Sequence, residues 1–432
     1  MNGTSKMDTF SACTPEPRQR HPQSTRPARD HTRRLPLVLL AAAALAGFAH
    51  RAGAQQCEDM HPGGDNLAAL ATALKACAGR TLHLAAGTYE LNPNGFASGL
   101  TVPGGTTIAG DGPGQTVVRI GSNGNLQAIL WIRNASNVTI RGIRFEGTSY
   151  DSGCSRHLDY GHAIYIYSDA GDHPAVENIN ISGNLFYNFN GQSWITANAQ
   201  DGSPGIGINS RIVIENNVFD SDGSLRGSCA GTGGIGYPAA MVWLHGSNNS
   251  AQGIIANVSI TSNTFNAGYI KTAVAIWSGT NHIMVQGNTI RDAGLHLPAA
   301  SGELGRYAIS IYNSAHTATQ ELPGLHPDTV SVVGNEISNP VSCGIYVAAA
   351  KNIEIAHNRI SGQSDRFDGT LPKGAIALNH VENVYGLHDN ELTGNYIGIS
   401  SAASEVKLGN NRIVPAPGGS PTKIRGGDPN SR

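Results

Sequence analysis

The fold is decided by one short pattern, which reads Asn178-Ile-Asn-Ile-Ser-Gly-Asn184-Leu-Phe in its first complete copy. It returns around Asn217 as Ile-Val-Ile-Glu-Asn-Asn-Val-Phe and around Asn263 as Val-Ser-Ile-Thr-Ser-Asn-Thr-Phe. The alternation predicts short strands with Ile, Val and Phe on one face. Further copies place the asparagine at Asn288, Asn335, Asn358, Asn390 and Asn411, and an earlier copy has Ile143 at this position.

The spacing of these asparagines defines the architecture. The shortest intervals are 21, 23 and 25 residues, which is the length of one solenoid turn built from short strands. Another strand precedes each copy, as at 163–167, 273–277 and 308–312. Three strands per turn predict a parallel β-helix, with three sheets around one narrow core.

Asparagine suits the corner between two strands for two reasons. It tolerates the left-handed backbone conformation, and its side chain can bond to local backbone groups. We also expect asparagines on successive turns to hydrogen-bond to one another, as a ladder along the solenoid.

The repeats occupy residues 81–414, and we assign a capping segment to 55–80. There Asp65 is expected to cap a helix with Leu67, Leu70 and Leu74 on one face, which would cover the first open edge. The Gly/Pro-rich residues 415–432 have no period and are expected to form a flexible tail.

Residues 1–54 are interpreted as a leader and secretory signal. Arg33 and Arg34 precede an apolar run at 35–49, and Ala52-Gly53-Ala54 offers a cleavage site of small residues. The run is too short for a membrane span. We therefore expect a secreted or periplasmic protein.

Five cysteines follow the leader, and an exported protein lies where disulfides persist. We expect Cys57 to pair with Cys77 and Cys154 with Cys229, which leaves Cys343 over and buried. The sequence alone does not determine this connectivity.

The charge balance argues against a general nucleic-acid binder. The chain has 432 residues with a formal net charge of −2, and residues 55–432 carry 21 basic and 28 acidic side chains, a net of −7. Nucleic-acid binders show a basic excess instead. Affinity for any polyanion must therefore come from a local group of cations.

The chain resembles the right-handed parallel β-helix proteins of the pectin-lyase-like superfamily. The resemblance rests on the entry segment 67–89, on Thr-Ile-Ala-Gly-Asp-Gly at 107–112 and on the repeats through Asn411. It implies an all-β, single-stranded right-handed parallel β-helix with three sheets and an N-terminal capping helix. Members are mostly lyases, hydrolases and uronate epimerases of acidic polysaccharides. The branch stays open, because only Gly161-His162-Ala163 approaches a polygalacturonase signature and the pectate lyase signatures are absent.

Aligning the third strands on their Ala-Ile step predicts one exposed sheet face. If each Ile faces the core, the alanine and the residues two positions away face outward. Cations suit uronate carboxylates, and aromatic rings suit sugar rings. The alignment gives a row of cations at Lys271, Arg306 and Lys373 beside a row of rings at Tyr167, Trp277 and Tyr312.

Elimination or C5 epimerisation of a uronate needs a group that neutralises the carboxylate and a base that removes the α-proton. We predict Arg306 as the neutraliser and Lys271 as the base, with Tyr307, His162 or His245 as substitutes. The alternative interpretation of these cations is a solvated sheet face.

Two further groups of polar residues precede or interrupt the repeats. Asp159 belongs to a loop that also holds Asp151, Arg156, His157 and Tyr160, and it is a candidate for substrate binding or for a disulfide-pinned surface loop. Asp220 and Asp222 are candidates for a hydrolase pair, for Ca²⁺ ligands or for an ordinary turn. The residues specify no cofactor, and Ca²⁺ is the one that they allow.

Together these features predict a secreted, monomeric enzyme that acts on an acidic polysaccharide by C5-proton abstraction, as a lyase or an epimerase. A glycoside hydrolase on the same scaffold is one alternative. A non-catalytic polysaccharide-binding or surface protein is the other.

Overall fold

The computed structural model describes residues 57–93, 96–121, 125–147, 162–167, 176–189, 193–199, 210–221, 240–246, 254–297, 306–313, 326–364, 373–402, 406 and 408–425. The chain divides into two units, 1–52 and 53–432, and every described residue belongs to the second unit.

One helix, α1 (Asn66–Ala76), precedes three stacks of parallel strands, numbered here in chain order. Sheet 1 contains β1 (Thr81–Leu84), β5 (Thr107–Gly110), β9 (Val138–Arg141), β12 (Ile179–Ser182), β15 (Ile212–Glu215), β18 (Ile255–Thr261), β21 (Thr280–Gln286), β24 (Asp328–Val333), β27 (Lys351–Ala356) and β30 (Glu382–His388).

Sheet 2 contains the strand that follows the corner after each sheet-1 strand, and from β13 onward this corner holds a ladder asparagine. They are β2 (Gly87–Leu91), β6 (Thr116–Ile120), β10 (Arg144–Glu146), β13 (Leu185–Tyr187), β16 (Val218–Asp220), β19 (Thr264–Asn266), β22 (Thr289–Arg291), β25 (Glu336–Ser338) and β28 (Arg359–Ser361).

Sheet 3 contains the third strand of each turn. Its strands are β4 (Leu100–Thr101), β8 (Ala128–Arg133), β11 (His162–Tyr167), β14 (Ser193–Asn198), β17 (Ala240–His245), β20 (Thr272–Ile276), β23 (Tyr307–Tyr312), β26 (Cys343–Ala348) and β29 (Gly374–Asn379). The long strands β31 (Glu391–Ala402) and β32 (Arg412–Arg425) run through sheets 2 and 3, and β3 (Phe96–Ala97) pairs with β7 (Asn125–Leu126).

The core consists of like side chains stacked on successive turns. Phe145, Phe186, Phe219 and Phe265 are fully buried in one column, with ring centroids 5.4, 4.8 and 4.6 Å apart. In-register parallel pairing aligns each phenylalanine with the next. Offset stacking of this kind adds stabilisation beyond the apolar area that is buried.

The predicted asparagine ladder is present and continuous from Asn184 to Asn411. Each side-chain NH₂ donates to the Oδ1 atom of the next asparagine at 2.9 to 3.1 Å. The same Oδ1 atom also accepts from the backbone N–H of the preceding rung. At Ile143, which has no amide side chain, the backbone N–H still donates to Asn184 Oδ1 at 3.1 Å.

The left-handed backbone lies one residue before the ladder asparagine, so the prediction for the corner was wrong in this detail. Positive φ occurs at Gly183 (63°), Asn216 (54°), Ser262 (54°) and Gly287 (62°). The preceding residue makes the turn, and this leaves the asparagine side chain pointing inward, where its bonds to the neighbouring turns are buried.

Helix α1 covers the first turn, as predicted. Asp65 Oδ1 accepts from the Ala68 N–H at 3.2 Å, and Leu70 and Leu74 are buried against the core. The predicted Cys57–Cys77 disulfide ties the preceding segment to the end of the helix. No helix in the described part of the chain has the length and apolarity needed to cross a membrane.

The solenoid extends beyond Val414, where the sequence predicted a flexible tail. Strand β32 continues to Arg425 and pairs with β31, with register shifts between Thr393 and Ile397. In the described chain β32 pairs only with β31, so it is an edge strand. An edge strand tolerates the missing N–H groups of Pro415, Pro417 and Pro421, and shifts in register absorb the glycines between them.

We predict that Asn288→Ala lowers the unfolding free energy by about 2–4 kcal/mol, because several buried polar groups lose their hydrogen-bond partner at once. Its Oδ1 accepts from Asn263, and its NH₂ donates to Ile260 O and Asn335 Oδ1. Urea unfolding followed by circular dichroism measures the loss. The exposed Asn410→Ala is the matched control and should leave the midpoint unchanged; equal midpoints for both variants would contradict a stabilising ladder.

Candidate functional site

Sheet 3 presents an outer face, the sheet-3 face, that is built from three rows of side chains. The rows follow the parallel register from β8 to β29. The first row contains His162, Ser193, Ala240, Thr272, Tyr307, Cys343 and Gly374. The second contains Trp131, Tyr165, Thr196, Trp243, Ala275, Ser310 and Tyr346. The third contains Arg133, Tyr167, Asn198, His245, Trp277, Tyr312, Ala348 and Asn379.

The alanines used for the alignment face inward, which corrects the prediction that they face outward. Ala163, Ala273 and Ala308 are fully buried in the same core as the isoleucine or valine that follows each of them. The β20–β23 ladder pairs Thr272 with Tyr307 and then Val274 with Ile309. The strand therefore turns two consecutive residues inward, and the first outward row lies one residue after the predicted row of cations.

Aromatic rings cover the middle of the sheet-3 face. The ring of Trp243 contacts those of His245 (5.0 Å between centroids) and Trp277 (4.6 Å), and Trp277 contacts Tyr312 (4.9 Å). As predicted, Trp277 and Tyr312 share a row, and Tyr167 lies in the same row three turns before Trp277. His245 also belongs to this row, which the alignment did not include. The predicted row of rings is therefore present on one face.

Three indole N–H groups on this face are buried without an acceptor among the described residues, at Trp131, Trp243 and Trp277. Trp243 is 6% exposed. An unsatisfied buried donor costs about 1–3 kcal/mol, so three of them on one face need an explanation. Trp194, in contrast, lies in the core and donates to Phe189 O at 3.0 Å.

His162 is held in one orientation on the first row. Its Nδ1 lies 2.6 Å from Ser193 O, and a carbonyl only accepts, so Nδ1 carries the proton and Nε2 the lone pair. Thr196 Oγ1 lies 3.1 Å from the same nitrogen. Burial lowers the pKa of His162 to about 4, although the bond to Ser193 O partly opposes this. His162 is therefore a neutral imidazole at pH 7.

Three further polar side chains lie on the neighbouring rows of the sheet-3 face, and Tyr165 among them contacts His162. The Tyr165 ring lies 4.9 Å from the His162 ring, and its hydroxyl accepts from Asn198 Nδ2 at 2.8 Å. Arg133, exposed on the preceding turn, pairs in register with Tyr167 and lies over the Trp131 ring at 5.2 Å. We call Arg133, His162, Tyr165 and Asn198 the polar cluster.

Each of the predicted cations immediately precedes a sheet-3 strand, but Arg306 is not displayed to solvent. The N–H of Tyr307 donates to Lys271 O at 3.0 Å, which places Lys271 and Arg306 on consecutive turns as predicted. Arg306 is 5% exposed, and its Nη1 donates to Gly294 O (3.0 Å) and Leu297 O (2.9 Å). Lys373 lies two turns further on, half-buried. Arg306 therefore holds a turn in place.

The tyrosines at the far end of the face are buried phenols. Tyr307 stacks on Tyr346, with centroids 4.5 Å apart and planes at 11°. Burial raises the pKa of Tyr346 to about 12 and also raises the pKa of Tyr312. Both remain protonated at neutral pH, which makes them unsuitable as bases and suitable as hydrogen-bonding partners.

Several predicted residues lie outside the described part of the chain. These are Asp159 with its neighbours in the same loop, Asp222, and the Cys154–Cys229 pair. Cys343 is described and fully buried.

The alignment missed Arg133, Tyr165 and Asn198. The signal was available, because Ala-Ile-Leu-Trp-Ile-Arg at 128–133 continues the same strand series one turn earlier.

Comparison with known proteins supports the fold. No protein-family model matches the sequence, and no curated protein sequence is similar to it. The structure is similar to the surface adhesin PfbA of Streptococcus pneumoniae, with 16% identity, a TM-score of 0.56 and coverage of 84% of this chain and 91% of that one. This chain is a right-handed parallel β-helix protein.

Two other solved β-helices illustrate the range of this fold. The tailspike of Escherichia coli bacteriophage HK620, solved with a pentasaccharide, matches at 15% identity and a TM-score of 0.54, over 85% of this chain and 63% of the tailspike. The A-module of a mannuronan C-5 epimerase from Azotobacter vinelandii matches at 14% identity and a TM-score of 0.44, over 85% and 96%. At such identities the likeness to the adhesin and to the tailspike establishes the fold alone.

We predict that His162 makes the stability of the protein depend on pH between about 6.5 and 4. The unfolded chain binds a proton on His162 near pH 6.5, whereas the folded protein binds it only near pH 4. The unfolding free energy therefore decreases by about 3 kcal/mol as the pH is lowered from 7 to 4. Urea unfolding at pH 7 and pH 4 should show a smaller loss for His162→Gln than for the wild type. The exposed His282→Gln should keep the wild-type difference; an unchanged loss in His162→Gln would contradict the buried, neutral imidazole.

Proposed function

We propose that the protein binds an acidic polysaccharide along the sheet-3 face and removes the C5 proton of a uronate, as a lyase or an epimerase. The observation that carries the proposal is the polar cluster, which holds an oriented neutral imidazole next to a phenol and, further along the same sheet face, an amide and an exposed guanidinium. These are the group types that proton abstraction next to a carboxylate requires.

The aromatic rows supply the binding surface. Successive turns are about 4.8 Å apart, so the third row from Arg133 to Tyr312 spans roughly 24 Å, enough for a short oligosaccharide. Rings of Tyr167, Trp277 and Tyr312 can stack on sugars, and the indole N–H groups of Trp243 and Trp277 can donate to hydroxyl or carboxylate oxygens. A bound glycan would thereby satisfy the buried donors.

Arg133 is the proposed neutraliser of the uronate carboxylate. It replaces Arg306, because the Arg306 guanidinium is buried and bonded to the carbonyls of a turn. Arg133 is exposed and lies on the turn that precedes His162, opposite Tyr167 at the other end of the strand. A planar guanidinium binds a carboxylate through two parallel hydrogen bonds, which draws charge from the α-carbon and acidifies its proton.

His162 is the proposed base, acting through Nε2. A pKa near 4 makes it a weak base, so the acidity of the proton must come mainly from the carboxylate bound to Arg133. Tyr165 would return a proton, to the leaving oxygen in a lyase or to the opposite face of the ring in an epimerase. Asn198, which donates to the Tyr165 oxygen, positions that phenol.

Lys271, Lys373 and His245 are retained as secondary contacts to the polyanion. Lys271 and Lys373 lie just before the start of their sheet-3 strands, and His245 lies between Asn198 and Trp277 in the third row.

We propose an exported location, supported by the Cys57–Cys77 disulfide, which forms in oxidising compartments.

We predict elimination or C5 exchange on at least one of alginate, pectate or a glycosaminoglycan. Elimination is read as near-ultraviolet absorbance of the unsaturated product, and epimerisation as deuterium uptake at C5 by NMR in D₂O. Arg133→Ala and His162→Gln should each lower the rate by about 10²-fold or more. Arg291→Ala, an exposed arginine at the end of a sheet-2 strand, is the matched control and should keep full activity.

Two outcomes would contradict the catalytic proposal. One is the absence of both signals across the whole panel, and the other is full activity in Arg133→Ala. Release of reducing ends without an unsaturated product would indicate a hydrolase, and saturable binding without turnover would indicate a non-catalytic binding protein.

We predict that polysaccharide binding changes the intrinsic fluorescence. Three of the four tryptophans, at 131, 243 and 277, lie on the sheet-3 face, while Trp194 is buried in the core. Titration with whichever polysaccharide of the panel binds should shift or quench the tryptophan emission. Trp277→Phe should reduce both this fluorescence change and the affinity. Trp194→Phe should leave the fractional change at least as large, and an unchanged titration in Trp277→Phe would contradict binding on this face.

A further inference from the structure

Two histidines and an aspartate from successive turns meet at a corner of the solenoid, between sheets 1 and 2. His357 follows β27, His388 ends β30, and Asp389 follows β30. One ligand atom from each side chain lies within 4.8 Å of the others. His357 and Asp389 are exposed and His388 is half-buried, so solvent ions reach the group.

The asparagine ladder brings these three side chains together. Asn358 and Asn390 are consecutive rungs, joined by a bond of 3.0 Å, and the residue before each rung adopts the left-handed conformation. Those residues are His357 (φ 57°) and Asp389 (φ 55°). They occupy the same corner position one turn apart, and the β27–β30 register sets His388 opposite Ala356 beside them.

The side chains already contact one another. The His388 Nδ1 atom lies 2.8 Å from Asp389 Oδ2, and the rings of His357 and His388 are 5.6 Å apart and nearly perpendicular. A divalent metal lies about 2.0–2.2 Å from each of its imidazole and carboxylate ligands. Small rotations of these exposed side chains would close the remaining gap.

We propose that His357, His388 and Asp389 form a binding site for a divalent transition metal such as Zn²⁺, with water completing the coordination. Imidazole favours zinc, copper and nickel, whereas Ca²⁺ and Mg²⁺ prefer oxygen ligands. The site is independent of the sheet-3 face and of the reaction proposed there.

A metal at this corner would join the last two turns of sheet 1. Strand β30 is the final strand of sheet 1 in the described chain. A cation that binds residues from both β27 and β30 turns stabilises the folded end of the solenoid by mass action, since the unfolded chain separates them. The sequence does not reveal this site, because His357 and His388 are 31 residues apart.

Isothermal titration of the full chain with ZnCl₂, together with thermal unfolding, tests the proposal. We expect one equivalent of Zn²⁺ to bind at this site and to raise the melting temperature. His357→Asn and His388→Gln should each weaken that binding by more than about tenfold and remove the thermal shift. Asparagine tolerates the left-handed conformation at 357, and circular dichroism without metal verifies that each variant is folded.

His282→Asn is the matched control, because His282 is also exposed and left-handed (φ 53°) on the same solenoid. It should bind Zn²⁺ as the wild type does. The proposal is overturned if His357→Asn and His388→Gln retain wild-type binding and thermal shift, if the wild type shows no saturable binding, or if CaCl₂ binds equally well at these residues.

Discussion

The buried amide-to-amide hydrogen bond between successive turns is the interaction on which the rest of this structure depends. The side-chain Oδ1 atom of each ladder asparagine accepts from the preceding rung, and its NH₂ donates to the Oδ1 atom of the following rung, in an interior that excludes water. An unsatisfied amide there is costly, so a slip of one residue is penalised at every rung. The ladder therefore keeps all three sheets in register, although the loops between turns differ greatly in length.

The strand register determines which side chains of successive turns lie next to one another, and it thereby defines the proposed sites. The polar cluster draws Arg133 from one turn, His162 and Tyr165 from the next, and Asn198 from a third. The aromatic rows extend from it along the axis, so the proposed sugar-binding surface and the proposed proton-transfer groups share one face. The same alignment at the opposite corner brings His357 to His388 and Asp389. Stacking distant residues at fixed intervals is thus the common origin of both proposed sites.

Much of this follows from the sequence, because the relevant signals are periodic. The solenoid, the ladder, the helix with Leu70 and Leu74, the Cys57–Cys77 bond and the row that contains Trp277 and Tyr312 were all predictable from spacing and alternation. Side-chain direction at an irregular step was not. A local break in the pleat turns Ala308 inward together with Ile309, and period-two reasoning has no signal for such a break.

The remaining differences also have local physical causes. Arg306 looked like an exposed cation, but it folds back onto the carbonyls of Gly294 and Leu297, a contact that no spacing rule encodes. The tail looked disordered because it is rich in glycine and proline, yet β31 offers an open edge that an irregular strand can still join. The proposed metal site joins two turns whose histidines are 31 residues apart, and the interval between turns varies too much along the sequence to predict which side chains meet.

The most direct test of the central claim is a crystal structure of His162→Gln with a bound uronate oligosaccharide. The account predicts sugar density along the sheet-3 face, with a carboxylate at Arg133 and a ring against Trp277. Density on another face of the solenoid, or a sugar on this face with its carboxylates turned away from Arg133, would contradict it.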